Sequence, residues 1–200
     1  MKAKLSGKRV AILVTEGFEL AELTGPKEAL EKAGAETDIV SPAGATVRAW
    51  DEKDWGEAFD VDVPLKGARA EDYDALVLPG GVMNPDKLRM DEKAVAFVKE
   101  FVVAQKPIVA ICHGPWTLIE AGAVAGRRMT SWPSLRTDLR NAGAQWVDEE
   151  VVVDNGLVTS RKPADLTAFN KKMLEEIGEG RHLTAPGARK GPSGNLAEAA

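Results

Sequence analysis

The sequence predicts an α/β protein, a three-layer α/β/α sandwich around a mostly parallel sheet. Short apolar runs, "VAILV", "ALVL" and "IVAI", recur along the chain, and the last two show no polar alternation, as expected of strands buried on both faces. Segments with helical spacing separate these runs, so strands alternate with helices. Right-handed crossovers between such units close into one parallel sheet with helices on either side.

Each element follows in order. "KRVAILVT" is a β-rich run leading through a glycine corner into "LAELTGPKEALEKAG", which carries helix formers and stops at Gly34. "AETDIVS" reads as a second strand and "DYDALVLPGG" as a third. From Asp91, a plausible N-cap, Ala94, Phe97, Val98 and Phe101 fall at i, i+3, i+4 and i+7 along a helix. "KPIVAI" returns as a strand, followed by a short helix to Gly122 and a strand in "RRMTSW". "PSLRTDLRNAG" starts at a proline and ends at a glycine, as helices do. "QWVDEEVVVDNGLVTSR" alternates around Asn155-Gly156, a tight hairpin signal. "PADLTAFNKKMLEEIGE" spaces Leu166, Phe169, Met173 and Ile177 along one helix face. The whole is a flavodoxin-like arrangement, in which functional groups gather where strand C-termini meet helix N-termini.

Residues 1–178 are expected to form one domain, since 200 residues with 44% hydrophobic content suit a single core. Residues 179–200 lose the periodicity and are crowded with Gly, Pro and Ala, so they read as a loosely ordered tail, or alternatively as an arm that docks a partner. The net charge of −5, with lysines and arginines dispersed among acids, argues against a dedicated nucleic-acid surface. A single cysteine forms no internal disulfide and fits a reducing compartment. The apolar run Val10 to Val14 is too short for a signal-peptide core or a membrane span. A cytoplasmic protein without membrane contact is the expectation.

The chemistry concentrates in "PIVAICHGP". The step from "IVAI" into "GPWTLIEAG" leaves no room for a loop, so Cys112 must sit on a sharp strand-to-helix bend, a nucleophile elbow that projects its side chain out of the sheet. The following helix points free N–H groups at the sulfur, which is expected to favour thiolate over thiol. A free cysteine is also a small hydrophobe that packs, but bend, thiol and imidazole together are what an activated nucleophile requires. His113 need not face its neighbour, since successive side chains point apart. Its backbone N–H is placed to stabilise an oxyanion, and its ring is either a base or a substrate positioner.

"AICHGP", preceded by "ALVLPGG" and followed by "TSWPSLRTDLRNAGAQWVDEEVVVDNGLVTSRKPADL", resembles the ThiJ/PfpI family, and most closely its PfpI branch, within the class I glutamine-amidotransferase-like fold. The likeness runs from about Val10 to Ile177. It implies that Glu19, in "TEGFELAEL", is the acid that contacts the nucleophilic sulfur, where a protonated carboxyl favours the thiolate. Glu16 and Glu22 then remain solvated helix-start residues. It also implies that Gly80 and Gly81 are backbone oxyanion donors, although a turn needing positive φ explains them equally. Asp86 matches an acidic residue that, in the PfpI branch, orients the histidine from a neighbouring subunit. A homo-oligomer, dimer or hexamer, would then complete the site.

Other signals lead nowhere. "DEKDWGEAFDVD" resembles a calcium loop, but Lys53 and Trp55 occupy ligand positions. One cysteine and two histidines do not suggest a metal site, and neither a Walker A motif nor a G-x-G-x-x-G after a strand points to a nucleotide. Trp116 and Trp132 fall near the expected mouth but read first as core. The only late histidine, His182, lacks the glutamate pattern of a glutaminase triad. The resemblance therefore implies a cofactor-independent glyoxalase or deglycase acting on methylglyoxal, glyoxal or their adducts, with small aldehydes or glycated molecules as substrates. Alternatives are an intracellular cysteine peptidase and a non-catalytic redox-sensing or chaperone stress protein, because an acidic thiol is also an oxidisable one.

Overall fold

A computed structural model describes residues 4–181. In chain order the elements are β1 (Arg9–Leu13), α1 (Leu20–Lys32), β2 (Glu36–Ser41), β3 (Thr46–Asp51), β4 (Asp54–Asp60), β5 (Val63–Pro64), β6 (Ala75–Leu78), α2 (Met83–Leu88) and α3 (Glu92–Val103). They continue with β7 (Ile108–Ile111), α4 (Pro115–Glu120), β8 (Arg128–Met129), α5 (Arg136–Asn141), β9 (Gln145–Trp146), β10 (Val151–Asp154), β11 (Leu157–Ser160) and α6 (Leu166–Glu179). The expected arrangement is present. A seven-stranded sheet runs β10-β11-β7-β6-β1-β2-β5, and every pairing in it is parallel except β10 with β11.

Alternation of apolar side chains across the sheet builds the core in two layers. Ala11, Leu13, Ile108 and Ala110 face one side, with Phe97, Phe101 and Leu118. Val10, Ile12, Val109 and Ile111 face the other, with Leu23, Leu30, Phe169 and Met173. Both faces of these strands are therefore dry, which is why their sequences are continuously apolar. Asp91 caps α3 by accepting from the N–H groups of Lys93 and Ala94, and Asn155 and Gly156 both take positive φ at the β10–β11 turn, as a type I′ hairpin requires.

Three stretches differ from expectation. The segment that resembled a failed calcium loop is half of a long hairpin, β3 with β4, lying outside the main sheet. "RRMTSW" gives only the two residues of β8, paired with β9 in a separate ladder. The loop after Gly81 contains the short helix α2. The tail lies outside the described residues from 182 onward, and α6 itself runs to Glu179, one residue past the expected boundary. Among the described residues no helix is long and apolar enough to cross a membrane.

Candidate active site

β7 carries Cys112 to the C-terminal edge of the sheet, and the chain turns at once. Cys112 has φ +60°, a region that costs a non-glycine residue about 1–3 kcal/mol and persists only when surrounding bonds impose it. Here its N–H donates to the Ser160 carbonyl at 3.0 Å and its carbonyl accepts from Trp132 N–H at 2.9 Å. The left-handed turn lifts the side chain away from the sheet, the geometry of a nucleophile elbow. It also brings adjacent side chains together, contrary to the expectation for His113. Nδ1 of that ring lies 3.2 Å from Cys112 Sγ.

The carboxyl at the sulfur is Glu22, not Glu19. Glu19 is the N-cap of α1, and its partly exposed carboxylate accepts from the Glu52 N–H at the tip of the β3–β4 hairpin. Glu22, one turn further, joins Leu23, Pro26 and Leu30 on the face of α1 that packs inward, and its solvent exposure is 0%. Its Oε2 accepts from Gly80 N–H at 2.8 Å, and its carboxyl hydrogen bonds with the Cys112 thiol. The sequence did carry a signal for this: an acid at i−1, i−4 and i−8 from Leu23, Pro26 and Leu30 falls inside the apolar stripe, where no solvated carboxylate belongs.

Burial pushes the Glu22 carboxyl up to about 8, against the pull of its bonds to Gly80 and Cys112. It therefore carries a proton at neutral pH. Burial also raises the Cys112 thiol, ionised Glu22 adds to that rise, and the N–H groups of Gly81 and His113 pull it down. The thiol is thus raised rather than depressed, contrary to the expectation from the bend and helix, because burial outweighs the N–H donors. Protonation of Glu22 removes the repulsion and adds an O–H donor to the two N–H groups at Sγ. Thiolate and protonated carboxyl are coupled states of one buried pair.

The two glycines divide their work. Gly80 donates to Glu22 rather than to the sulfur or an oxyanion, whereas Gly81 N–H faces Sγ. A Cβ at Gly80 would lie 2.6 Å from both Cys112 Cβ and Glu22 Oε2, so close approach requires glycine there. Gly81, at φ +76°, would place one 2.5 Å from the Gly17 carbonyl. Buried Asn84 in α2 fastens this turn, donating to the carbonyls of Pro79 and Gly80 and accepting from Thr15 N–H at 2.7 Å.

Burial pushes the His113 ring down to about 4, so it is neutral at physiological pH. It stacks on Trp132 at 5.9 Å between centroids and meets the Trp116 edge at 5.2 Å, so both tryptophans hold the imidazole as well as pack. Trp116 is oriented by its indole N–H on Asp138 at 2.9 Å. Nε2 lies 3.4 Å from Ser134 Oγ, a partner that sequence reasoning missed. Asp86 is exposed on α2, with its backbone N–H on Val82, and is not among the His113 partners within the chain.

A cavity of about 580 Å³ opens over the thiol, walled by Glu19, Trp50, Glu52, Met83, Trp132 and Pro163. Cys112 is buried but keeps 7% of its surface accessible and lines this cavity. No cluster of three or more His, Cys, Asp or Glu residues arranged for a metal occurs among the described residues.

The chain is similar to known proteins in both sequence and fold. The chain matches the DJ-1/PfpI family over residues 8–176. It is 44% identical over 170 residues to general stress protein 18 of Bacillus subtilis, covering 84% of this chain and 96% of that protein. It is 43% identical over 173 residues to protein/nucleic acid deglycase 2 of Escherichia coli, covering 86% and 98%. Drosophila melanogaster DJ-1beta superimposes with a TM-score of 0.77 at 28% identity, over 86% of this chain and 90% of that one. A family match over residues 8–176, with relatives at 44% and 43% identity across most of both chains, shows that the chain belongs to the DJ-1/PfpI family.

Proposed function

We propose that this chain is a cysteine-dependent enzyme of the glyoxalase or deglycase type that removes reactive carbonyls under stress. The observation that carries the reading is the convergence of Glu22, Gly81 N–H, His113 N–H and the His113 ring on one sulfur at the wall of a cavity. The relatives named for stress and deglycation support the same class.

The chemistry balances without an added oxidant. Cys112 thiolate adds to the aldehyde carbon of methylglyoxal, forming a C–S bond and an alkoxide that accepts from the backbone donors. Neutral His113 removes the proton on that carbon, and protonated Glu22 supplies one to the neighbouring carbonyl oxygen, giving an enediol. Return of a proton to the second carbon yields a lactoyl thioester. Water cleaves it to lactate and free thiol, so the sum is methylglyoxal plus water to lactic acid. A hemiaminal adduct enters the same sequence when sulfur takes the aldehyde carbon and the amine leaves.

Asp86 is assigned here to a second copy of the chain, as an acid that would reach Nε2 of His113 beside Ser134. Peptide hydrolysis would depend on that contact, because an amide leaving group needs a strong acid. The decisive assay is lactate formation from methylglyoxal by the wild type and Cys112→Ser. Loss of turnover in the variant is expected, and full retention would refute the proposal.

A further inference from the structure

The cavity over Cys112 has an uneven charge. Glu19 and Glu52 line its outer wall, Glu22 its floor, and no lysine or arginine is among its lining residues. Trp50 and Trp132 supply the flat apolar sides. The acidic rim is built in rather than draped over the opening. Gly17 N–H donates to the Arg48 carbonyl at 2.9 Å and Trp50 N–H to the Phe18 carbonyl at 2.7 Å, tying the hairpin to the start of α1. At the tip Glu52 takes φ +50°, its N–H donates to the Glu19 carboxylate, and its carbonyl accepts the Trp50 indole N–H at 3.1 Å. Arg48 is engaged away from the cavity: its guanidinium bonds the Gly56 carbonyl at 3.0 Å and lies over Trp55.

This wall meets a ligand before the nucleophile does. Carboxylates around a low-dielectric cleft raise the local concentration of cations and lower that of anions, and tryptophan faces add attraction for a cation. The base of the cavity behaves differently, since its donors face the Cys112 sulfur and hold the negative charge of the thiolate and then of the alkoxide it forms. We propose that Glu19 and Glu52 are specificity-determining residues, admitting neutral and positively charged carbonyl compounds to Cys112 and rejecting carboxylate- or phosphate-bearing aldehydes. This deepens the carbonyl-enzyme reading and rests on it for the word substrate, but the gate is testable without turnover.

Because Cys112 is the only cysteine, charged thiol reagents read the gate directly. Trimethylammonioethyl and sulfonatoethyl methanethiosulfonate each form a mixed disulfide with the thiolate and release methanesulfinate. Labelling is followed by intact mass, with each rate divided by that of a free thiol. The cationic reagent is expected to win by about tenfold at low salt, within the range for steered encounters. Half-molar salt should compress the ratio, because the screening length then falls to a few ångströms. Glu52→Gln and Glu19→Gln should each lower it severalfold. A ratio near one in the wild type, a ratio unmoved by both variants, or no labelling by either reagent would overturn the proposal. A preserved ratio in a protein that makes no lactate would leave the gate standing and remove the enzymatic reading. Lactate formation without charge preference would do the reverse. In the active case, methylglyoxal should outcompete glyoxylate for Cys112, and Glu52→Gln should narrow that difference.

Discussion

Glu22 and Gly80, 58 residues apart, are joined by a 2.8 Å hydrogen bond in the protein interior, with the carboxyl accepting from the backbone N–H. The same carboxyl meets Cys112, so one buried acid couples α1, the turn after β6 and the elbow after β7. Its proton therefore bears on both reactivity and stability.

Replacing Glu22 by alanine is expected to lower kcat/KM for methylglyoxal by about a hundredfold or more, the usual weight of a positioned proton donor. Glu19→Ala should cost far less with this neutral substrate, because its carboxylate serves the hairpin tip. Steady-state lactate assays of the two variants decide the assignment, and equal losses would contradict it.

The raised Glu22 carboxyl also fixes the pH dependence of folding. Its acidity shifts from 4.5 to about 8 on folding, so the native state holds the extra proton between those values and stability is lost as pH rises. His113 acts in the opposite sense, gaining stability as pH rises from about 4 to 6.5. The two slopes oppose each other up to about 6.5, and from there to about 8 the Glu22 contribution is no longer offset by His113. Urea denaturation should show stability falling across this upper window by up to about 1.4 kcal/mol per pH unit. Glu22→Gln should flatten the slope, and an unchanged slope in that variant would place the titrating group elsewhere.

Ser134 is expected to hold the His113 ring through Nε2. Ser134→Ala should reduce kcat severalfold with little change in KM, and ring-nitrogen NMR should show a changed tautomer balance. Preservation of both kcat and the nitrogen shifts would mean that the hydroxyl is a bystander. His113→Ala should be the more damaging change, by about 10² or more if the ring is the base.

Gly80→Ala tests the close packing at the elbow. Its added methyl meets Cys112 Cβ and Glu22 Oε2 at 2.6 Å, so either the turn or the pair must move. A loss of about 1–3 kcal/mol is expected, the cost of an extra carbon in a tight core, together with reduced turnover. Wild-type stability and turnover would show that the turn yields freely.

Asp86→Ala separates chain from assembly. Solution mass and lactate formation should be measured together across protein concentration. If Asp86 reaches a second copy, wild-type kcat should rise with association and the variant should lose that rise. Concentration-independent activity in both proteins would confine the site to one chain.

The sequence by itself determined the layered fold and the place of the nucleophile. Unbroken apolar runs such as "IVAI" admit few environments other than a doubly covered parallel strand, and a cysteine wedged between strand and Gly-Pro leaves the backbone no gradual turn. Local rules also gave the Asp91 cap and the Asn155-Gly156 hairpin, because their geometry is settled within a few residues. The apolar stripe of α1 marks Glu22 rather than Glu19 as the buried acid, but only the tertiary structure decided that it meets Cys112, because that depends on how α1 docks against the turn after β6. Folding likewise gave Gly80 to Glu22, brought Ser134 and two tryptophans around the imidazole, and set the tip of the β3–β4 hairpin into the cavity wall. The Glu22–Gly80 and His113–Ser134 pairs join residues 58 and 21 positions apart, where chain-local propensity carries no information and packing alone fixes the partner.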